Sequence, residues 1–96
     1  MKKNMVDKDF YKRADEHIKL SNKQISKDIP LGKISASMMY STARFNSWMN
    51  AYRFKSGVEM REQKKETIEY FVEEYRKMLI ENLDDYIGNF DSYMKP

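Results

Sequence analysis

The stretch ETIEYFVEEYRKMLIENLDDYIGNF, from Glu66 to Phe90, carries the clearest structural signal in this sequence of 96 residues. Its apolar residues recur every three or four positions, which is the period of an α-helix. The stripe that they form consists of Ile68, Val72, Tyr75, Leu79, Leu83, Tyr86 and Phe90. Charged side chains fill most of the remaining circumference. The stretch therefore predicts a long amphipathic helix that needs apolar partners along most of its length.

The composition indicates a single soluble globular domain over residues 1–96, since 41% of the residues are hydrophobic and 34% are charged. The absence of cysteine excludes disulfides and thiolate ligands. No apolar run has the length of a membrane span, and the basic N-terminal residues lack the apolar core of a signal peptide. The expected location is therefore the cytoplasm, without a membrane partner.

The charges are distributed unevenly along the chain. Residues 1–57 contain 12 Lys and Arg against 5 Asp and Glu, whereas residues 58–96 contain 6 against 10. A basic half and an acidic half attract each other, either within one chain or between two copies. The net charge of +3 is too small by itself to indicate a nucleic-acid partner.

Two further helices are predicted upstream of the long one. The first covers about residues 8–25, with Asp7 as its N-cap. The second covers about residues 33–54, and Pro30 lies in the loop between the two. Because that loop is short, the two helices should be antiparallel neighbours.

The second predicted helix is unusually poor in charge. Between Lys33 and Arg53 the single charged residue is Arg44. Large apolar residues share one face, and small residues such as Ala36, Ala43 and Ser47 lie on the other. A helix that exposed half of its circumference would normally carry charges there, so we expect this one to be covered on more than one side.

The third helix is expected to run over about residues 57–88, with short flexible ends beyond the helices. Ser56 and Glu59 form the pattern of a capping box at its start. Gly88 is expected to end it in a left-handed conformation. The predicted fold is an all-α, antiparallel, up-down-up bundle of three helices with a long C-terminal helix, and dimerisation is one way to complete it.

These features predict a protein-interaction or structural module that associates with itself. The third helix should extend beyond its neighbours by roughly 10 Å, which leaves its apolar end in need of cover. Small residues on the second helix would permit close approach, and aromatic residues would act as anchors. The predicted interaction residues are Ala36, Tyr40, Ala43, Arg44, Ser47, Trp48, Tyr86 and Phe90. A homo-oligomer or another protein is the expected partner.

Two alternative functions remain open. A nucleic-acid-associated regulator would use the basic first helix, but acidic residues interrupt the patch and no known motif accompanies it. The basic residues concerned are Lys2, Lys3, Lys8, Lys12, Arg13, Lys19, Lys23 and Lys27. A small anion would bind near Arg44, Asn46 and Trp48, where the guanidinium is spaced to stack on the ring of Tyr40 or Trp48. The plainer interpretation is that Arg44 is half-buried and ion-paired.

No catalytic, cofactor or metal site is expected, and the chain is not predicted to be an enzyme. The single histidine, His17, follows Asp15 and Glu16, which point to other sides of a helix and cannot share one ion with it. A row of glutamates on the third helix flanks the apolar stripe and is interpreted as a solvated face. That row consists of Glu59, Glu62, Glu66, Glu69 and Glu73.

Several runs resemble a small bacterial family, one of the families of domains of unknown function. The similarity covers about residues 9–88, and its longest run is fairly specific. The runs are GKISA at 32–36, ARFN at 43–46, YFVEEYRKML at 70–79 and ENLDDYI at 81–87, with Phe10, Tyr11, Ala14, Asp15, His17 and Ile18 upstream. The resemblance implies a bacterial source and an all-helical fold. It implies no catalytic or binding residue.

Overall fold

The computed structural model describes residues 6–96, and this part of the chain is all-α, as predicted. Extended pairing within it is limited to an isolated bridge between Ser26 and Ile29. The helices are α1 (Phe10–Lys23), α2 (Leu31–Ala51), α3 (Gly57–Glu62), α4 (Lys64–Gly88) and α5 (Phe90–Met94). The chain divides into two compact units, with the boundary between Ala51 and Tyr52. The three-helix bundle and the single domain therefore stay predictions.

The first unit contains α1 and α2, which contact each other. α1 is shorter than the predicted 8–25 at both ends. The backbone N–H of Phe10 donates to the carbonyl of Asp7 at 3.1 Å, so a turn precedes the helix. α2 begins two residues before the predicted start and ends at Ala51 rather than at residue 54. Pro30 explains the earlier start, because its fixed φ suits the residues that open a helix.

The large apolar face of α2 is buried over part of its length. Ile34 is buried, with 7% of its surface exposed, and Met38 is half-buried. Phe45, on the same face, is 59% exposed. With 14 and 21 residues, the two helices are about 21 and 32 Å long. Near the other end of α2, Asn50 is buried, with 6% of its surface exposed.

The second unit begins with the predicted capping box. The backbone N–H of Glu59 donates to Ser56 Oγ at 3.1 Å, and the N–H of Lys55 donates to Glu59 Oε1 at 2.8 Å. Ser56 has the extended conformation of an N-cap residue, with φ −157° and ψ 163°. The bond to Ser56 satisfies a donor that the first turn of α3 leaves without a partner, and the bond from Lys55, which precedes the N-cap, ties the incoming chain to that turn.

The predicted helix over 57–88 is interrupted at Gln63, where φ is −103° and ψ is 7°. Its N–H donates to the carbonyl of Met60 at 3.1 Å, so the chain makes a tighter turn before α4 begins. No proline or glycine lies between Glu59 and Lys65, and nearly every residue there is charged. No local signal in the sequence marks this break.

The end of α4 at Gly88 agrees with the prediction, but the predicted cause is wrong. No glycine in residues 6–96 has a positive φ. Instead, Asn89 donates to the carbonyl of Asp85 through both its backbone N–H and its Nδ2, each at 3.0 Å. α5 follows, where the sequence predicted a flexible end. Tyr93 Oη donates to the two carboxylate oxygens of Asp85 at 3.0 and 3.2 Å.

Replacing Ser56 with Ala should lower the free energy of unfolding by about 1 kcal/mol, because the N–H of Glu59 then loses its acceptor. Urea denaturation followed by circular dichroism measures the change. Ser41→Ala is the matched control, since Ser41 is exposed within α2 and away from a helix end. Ala favours a helix interior, so the control should leave stability unchanged or slightly raised. Equal loss in both variants would contradict the capping role.

Candidate interaction surfaces

The apolar stripe of α4 is exposed along its whole length. Its side chains range from 40% exposed at Leu79 to 53% at Tyr75, and α4 contains no buried residue. The half-buried residues of α4 are Thr67, Phe71 and Glu74, which lie about a quarter turn or more away from the stripe. Although α3 and α5 both contact α4, the stripe stays accessible.

The small-residue face of α2 is also exposed. Ala36, Tyr40, Ala43 and Ser47 follow one another at steps of four, three and four residues, which places them on one side of the helix. All four are exposed, and Tyr40 is 66% exposed. Their role in an interface stays a prediction. The face is accessible and combines small side chains with one aromatic ring.

The predicted setting of Arg44 differs from the one observed. Trp48 packs against Phe45 instead, with ring centroids 5.5 Å apart and an interplanar angle of 45°. Arg44 is exposed rather than half-buried, and within residues 6–96 it has no hydrogen bond, ion pair or ring contact. Asn46, two residues on, points to a different side of the helix and is half-buried. These two side chains therefore do not converge on one anion.

The C-terminal aromatic residues form a small cluster that was not predicted from the sequence. The rings of Tyr86 and Tyr93 lie 4.7 Å apart, and the hydrogen bond to Asp85 raises the pKa of Tyr93. Both predicted anchors, Tyr86 and Phe90, are about half exposed. Asp85, Asn89 and Tyr93 are spaced four residues apart, and this helical spacing is the signal that could have predicted α5.

The basic surface of α1 is smaller than its composition suggests. Arg13 Nη2 lies 2.7 Å from Asp7 Oδ1, and its Nη1 donates to Asp7 Oδ2 at 3.2 Å. The bond from Arg13, supported by one from the N–H of Asp9, lowers the pKa of Asp7 to about 2. The charge of Arg13 is thus compensated. Lys8, Lys12, Lys19 and Lys23 are exposed, whereas Lys2 and Lys3 lie outside the described residues.

Groups that could support metal chemistry do not converge in residues 6–96. No three His, Asp or Glu side chains of this range are placed to hold a metal ion. His17 is exposed, and so are the five glutamates of the row on α3 and α4. Within the same range, no helix combines the length and the apolar character needed to cross a membrane.

The helices and their exposed faces define an all-α protein with apolar surface on its two longest helices. The chain belongs to the family described as "Protein of unknown function (DUF3144)", whose model matches residues 10–87. It is similar to the protein NB7890A from Shewanella sp., solved by NMR, with 40% sequence identity and a TM-score of 0.76. The match covers 92% of this chain and 93% of that one. No curated protein matches the chain, and these comparisons assign no function.

The bond from Arg13 should control the titration of Asp7, because the guanidinium stays protonated throughout. Because the pKa of Asp7 is lowered, its stabilising contribution is complete above the ordinary value of 3.8 and is lost as the pH falls through about 2. A carboxyl ¹³C NMR titration should give a midpoint for Asp7 near 2, and Arg13→Gln should move it towards 3.8. Lys12→Gln, which removes the neighbouring cation, should leave the midpoint in place. A wild-type midpoint near 3.8 would contradict the pair.

Proposed function

We propose that this chain is a non-enzymatic helical module that associates with itself through its exposed apolar faces. The observation that carries the proposal is the stripe, which runs for about five turns of α4 from Ile68 to Tyr86 and continues to Phe90 in α5 with no side chain buried. Contiguous apolar surface of this extent is typical of protein–protein interfaces. α2 supplies a second exposed face, with small residues that permit close approach and Tyr40 and Trp48 as anchors.

The aromatic residues of the stripe supply much of its area. An aromatic side chain covers about 150–250 Å² when it is buried, and Tyr75, Tyr86 and Phe90 are each about half exposed. These three residues therefore offer about 300 Å² together, and the smaller aliphatic residues of the stripe add to this area. A typical specific interface buries about 800 Å² on each partner, so the proposed interface extends beyond the stripe to the α2 face.

The charge distribution supports a second copy as the partner. A basic N-terminal half and an acidic C-terminal half, present in each chain, provide complementary charge when two copies meet.

The nucleic-acid alternative receives less support, because Asp7 compensates the charge of Arg13 within the basic surface of α1. A gel shift with generic DNA and RNA at low salt measures binding to nucleic acid. Binding that weakens as salt is added would favour the nucleic-acid alternative. A bacterial source is part of our proposal, and the neighbour from Shewanella supports it. The cytoplasmic location stays a prediction.

Leu79→Glu should dissociate the oligomer, because it places a carboxylate in the middle of the stripe. Size-exclusion chromatography with light scattering at micromolar concentration should give at least twice the chain mass of 11.6 kDa for the wild type. The variant should elute at the mass of one chain, with a dissociation constant raised about 100-fold or more. Far-UV circular dichroism checks that the variant remains helical.

Ile80→Glu is the matched control. Ile80 is 53% exposed on α4 and adjoins Leu79, but it points about 100° away around the helix. The same apolar-to-Glu change there should leave the oligomer intact. A wild-type protein that stays at 11.6 kDa would contradict the proposal. Equal dissociation by both variants would show that the stripe is not the interface.

A further inference from the structure

We infer that the surface covering α4 is α4 of a second copy, running antiparallel, with Val72 of each copy opposite the partner's Tyr75. This inference rests on the proposed self-association and adds the orientation and the register of the two helices. It follows from the repeat of the stripe and from the charges on its two sides.

The stripe follows the seven-residue repeat of a coiled coil over α4. Val72, Leu79 and Tyr86 recur at seven residues, and so do Ile68 and Tyr75, which lie four residues before Val72 and Leu79. All five are 40–53% exposed. Two sets of apolar residues with this spacing make a seam that packs against an equivalent seam of another helix.

The antiparallel register matches the apolar positions of the two copies. When Val72 lies opposite the partner's Tyr75, Ile68 lies opposite the partner's Leu79, and symmetry repeats both pairs. Lys65 then lies opposite the partner's Asn82 at each end of the seam. The paired segment covers residues 64–85, a length of about 33 Å, so Tyr86 and Phe90 lie beyond its end.

The residues beside the seam match in the same register. In an antiparallel pair, each flanking position faces its own kind on the partner helix. Glu69 therefore faces the partner's Arg76, and symmetry supplies this pair twice. On the other flank, Phe71 faces the partner's Met78, and Lys64 faces the partner's Asp85. Opposite charges at flanking positions are what selects the partner and orientation of a coiled coil.

The charged flanking side chains are available for these pairs, whereas Phe71 is half-buried within its own chain. Glu69 is exposed, and the side chain of Arg76 is 62% exposed. Arg76 Nε lies 3.4 Å from Glu73 Oε1, which is a weak surface pair. Asp85 accepts hydrogen bonds from Asn89 and Tyr93, and neither of these groups neutralises its charge.

Other arrangements of the same two helices place like charges opposite each other. Shifting the antiparallel register by one heptad in one direction places Arg76 opposite the partner's Arg76. The opposite shift places Glu69 opposite the partner's Glu69. A parallel pair places Lys65 opposite the partner's Lys65 within the seam. Like charges at such positions destabilise the pair, so the antiparallel register above is the favoured one.

Charge reversal in the full chain tests the register. Glu69→Arg and Arg76→Glu should each raise the dissociation constant about tenfold, because each creates two like-charge contacts. The double variant should return to within about threefold of the wild type. An equimolar mixture of the two single variants should associate as strongly as the wild type, because every arginine then faces a glutamate. Sedimentation velocity over a concentration series measures these constants.

Glu73→Arg is the matched control, because it reverses the same charge and removes the pair with Arg76 but lies off the seam. Its dissociation constant should stay within about threefold of the wild type. Dissociation by Leu79→Glu without any effect of the charge reversals would overturn the register and leave the proposed function standing. Weakening by Glu69→Arg that the double variant does not recover would indicate the parallel arrangement. A monomeric wild type would overturn both.

Cross-linking gives an independent measurement, because the chain contains no cysteine. A mixture of Glu69→Cys and Arg76→Cys should form a mixed disulfide under mild oxidation, whereas each variant alone should form far less. In this register, position 69 of one copy and position 69 of the other are seven residues apart along the helix axis, which is about 10 Å. The same holds for position 76. This separation is too large for a disulfide between two copies of the same variant. Equal cross-linking in the mixture and in the separate variants would overturn the register.

Discussion

Covering the apolar stripe of α4 is the constraint on which the other interactions of this chain depend. The stripe runs from Ile68 on α4 to Phe90 in α5, and water has access to about half of each of its side chains. Apolar surface of this kind is stabilised when another apolar surface replaces the water. The short helices α3 and α5 contact α4 but leave the stripe accessible. A partner surface about as long as α4 itself is what the stripe requires.

Local hydrogen bonds at the helix ends order much of this structure. Arg13 in α1 forms an ion pair with Asp7 in the turn before that helix, and Ser56 caps α3. At the end of α4, Asp85 accepts hydrogen bonds from Asn89 and Tyr93. Full burial is rarer, since Ile34 is the buried apolar residue of the described range. Local caps and exposed apolar side chains, rather than a large buried core, characterise the described part of the chain.

The interaction residues predicted from the sequence are accessible, but their settings were only partly predictable. The exposure of Tyr40 agrees with a role in an interface, and periodicity identified it. The stacking of Arg44 was wrong, because Trp48 has Phe45 as a neighbour three residues before it and packs there instead. Spacing along a helix shows which side chains are near one another, and packing decides which of them meet.

The sequence by itself determined the helical class, the family and the apolar stripe, because periodicity and capping residues act over one or two turns. It also identified the start of α3, since Ser56 and Glu59 carry that signal locally. The α5 helix also has a local signal, because Asp85, Asn89 and Tyr93 are spaced four residues apart and bond to one another. Tertiary structure decided the break at Gln63 and the burial of Ile34 and Asn50 in α2. Neither has a local cause strong enough to predict from the sequence, because burial depends on which side chains pack together.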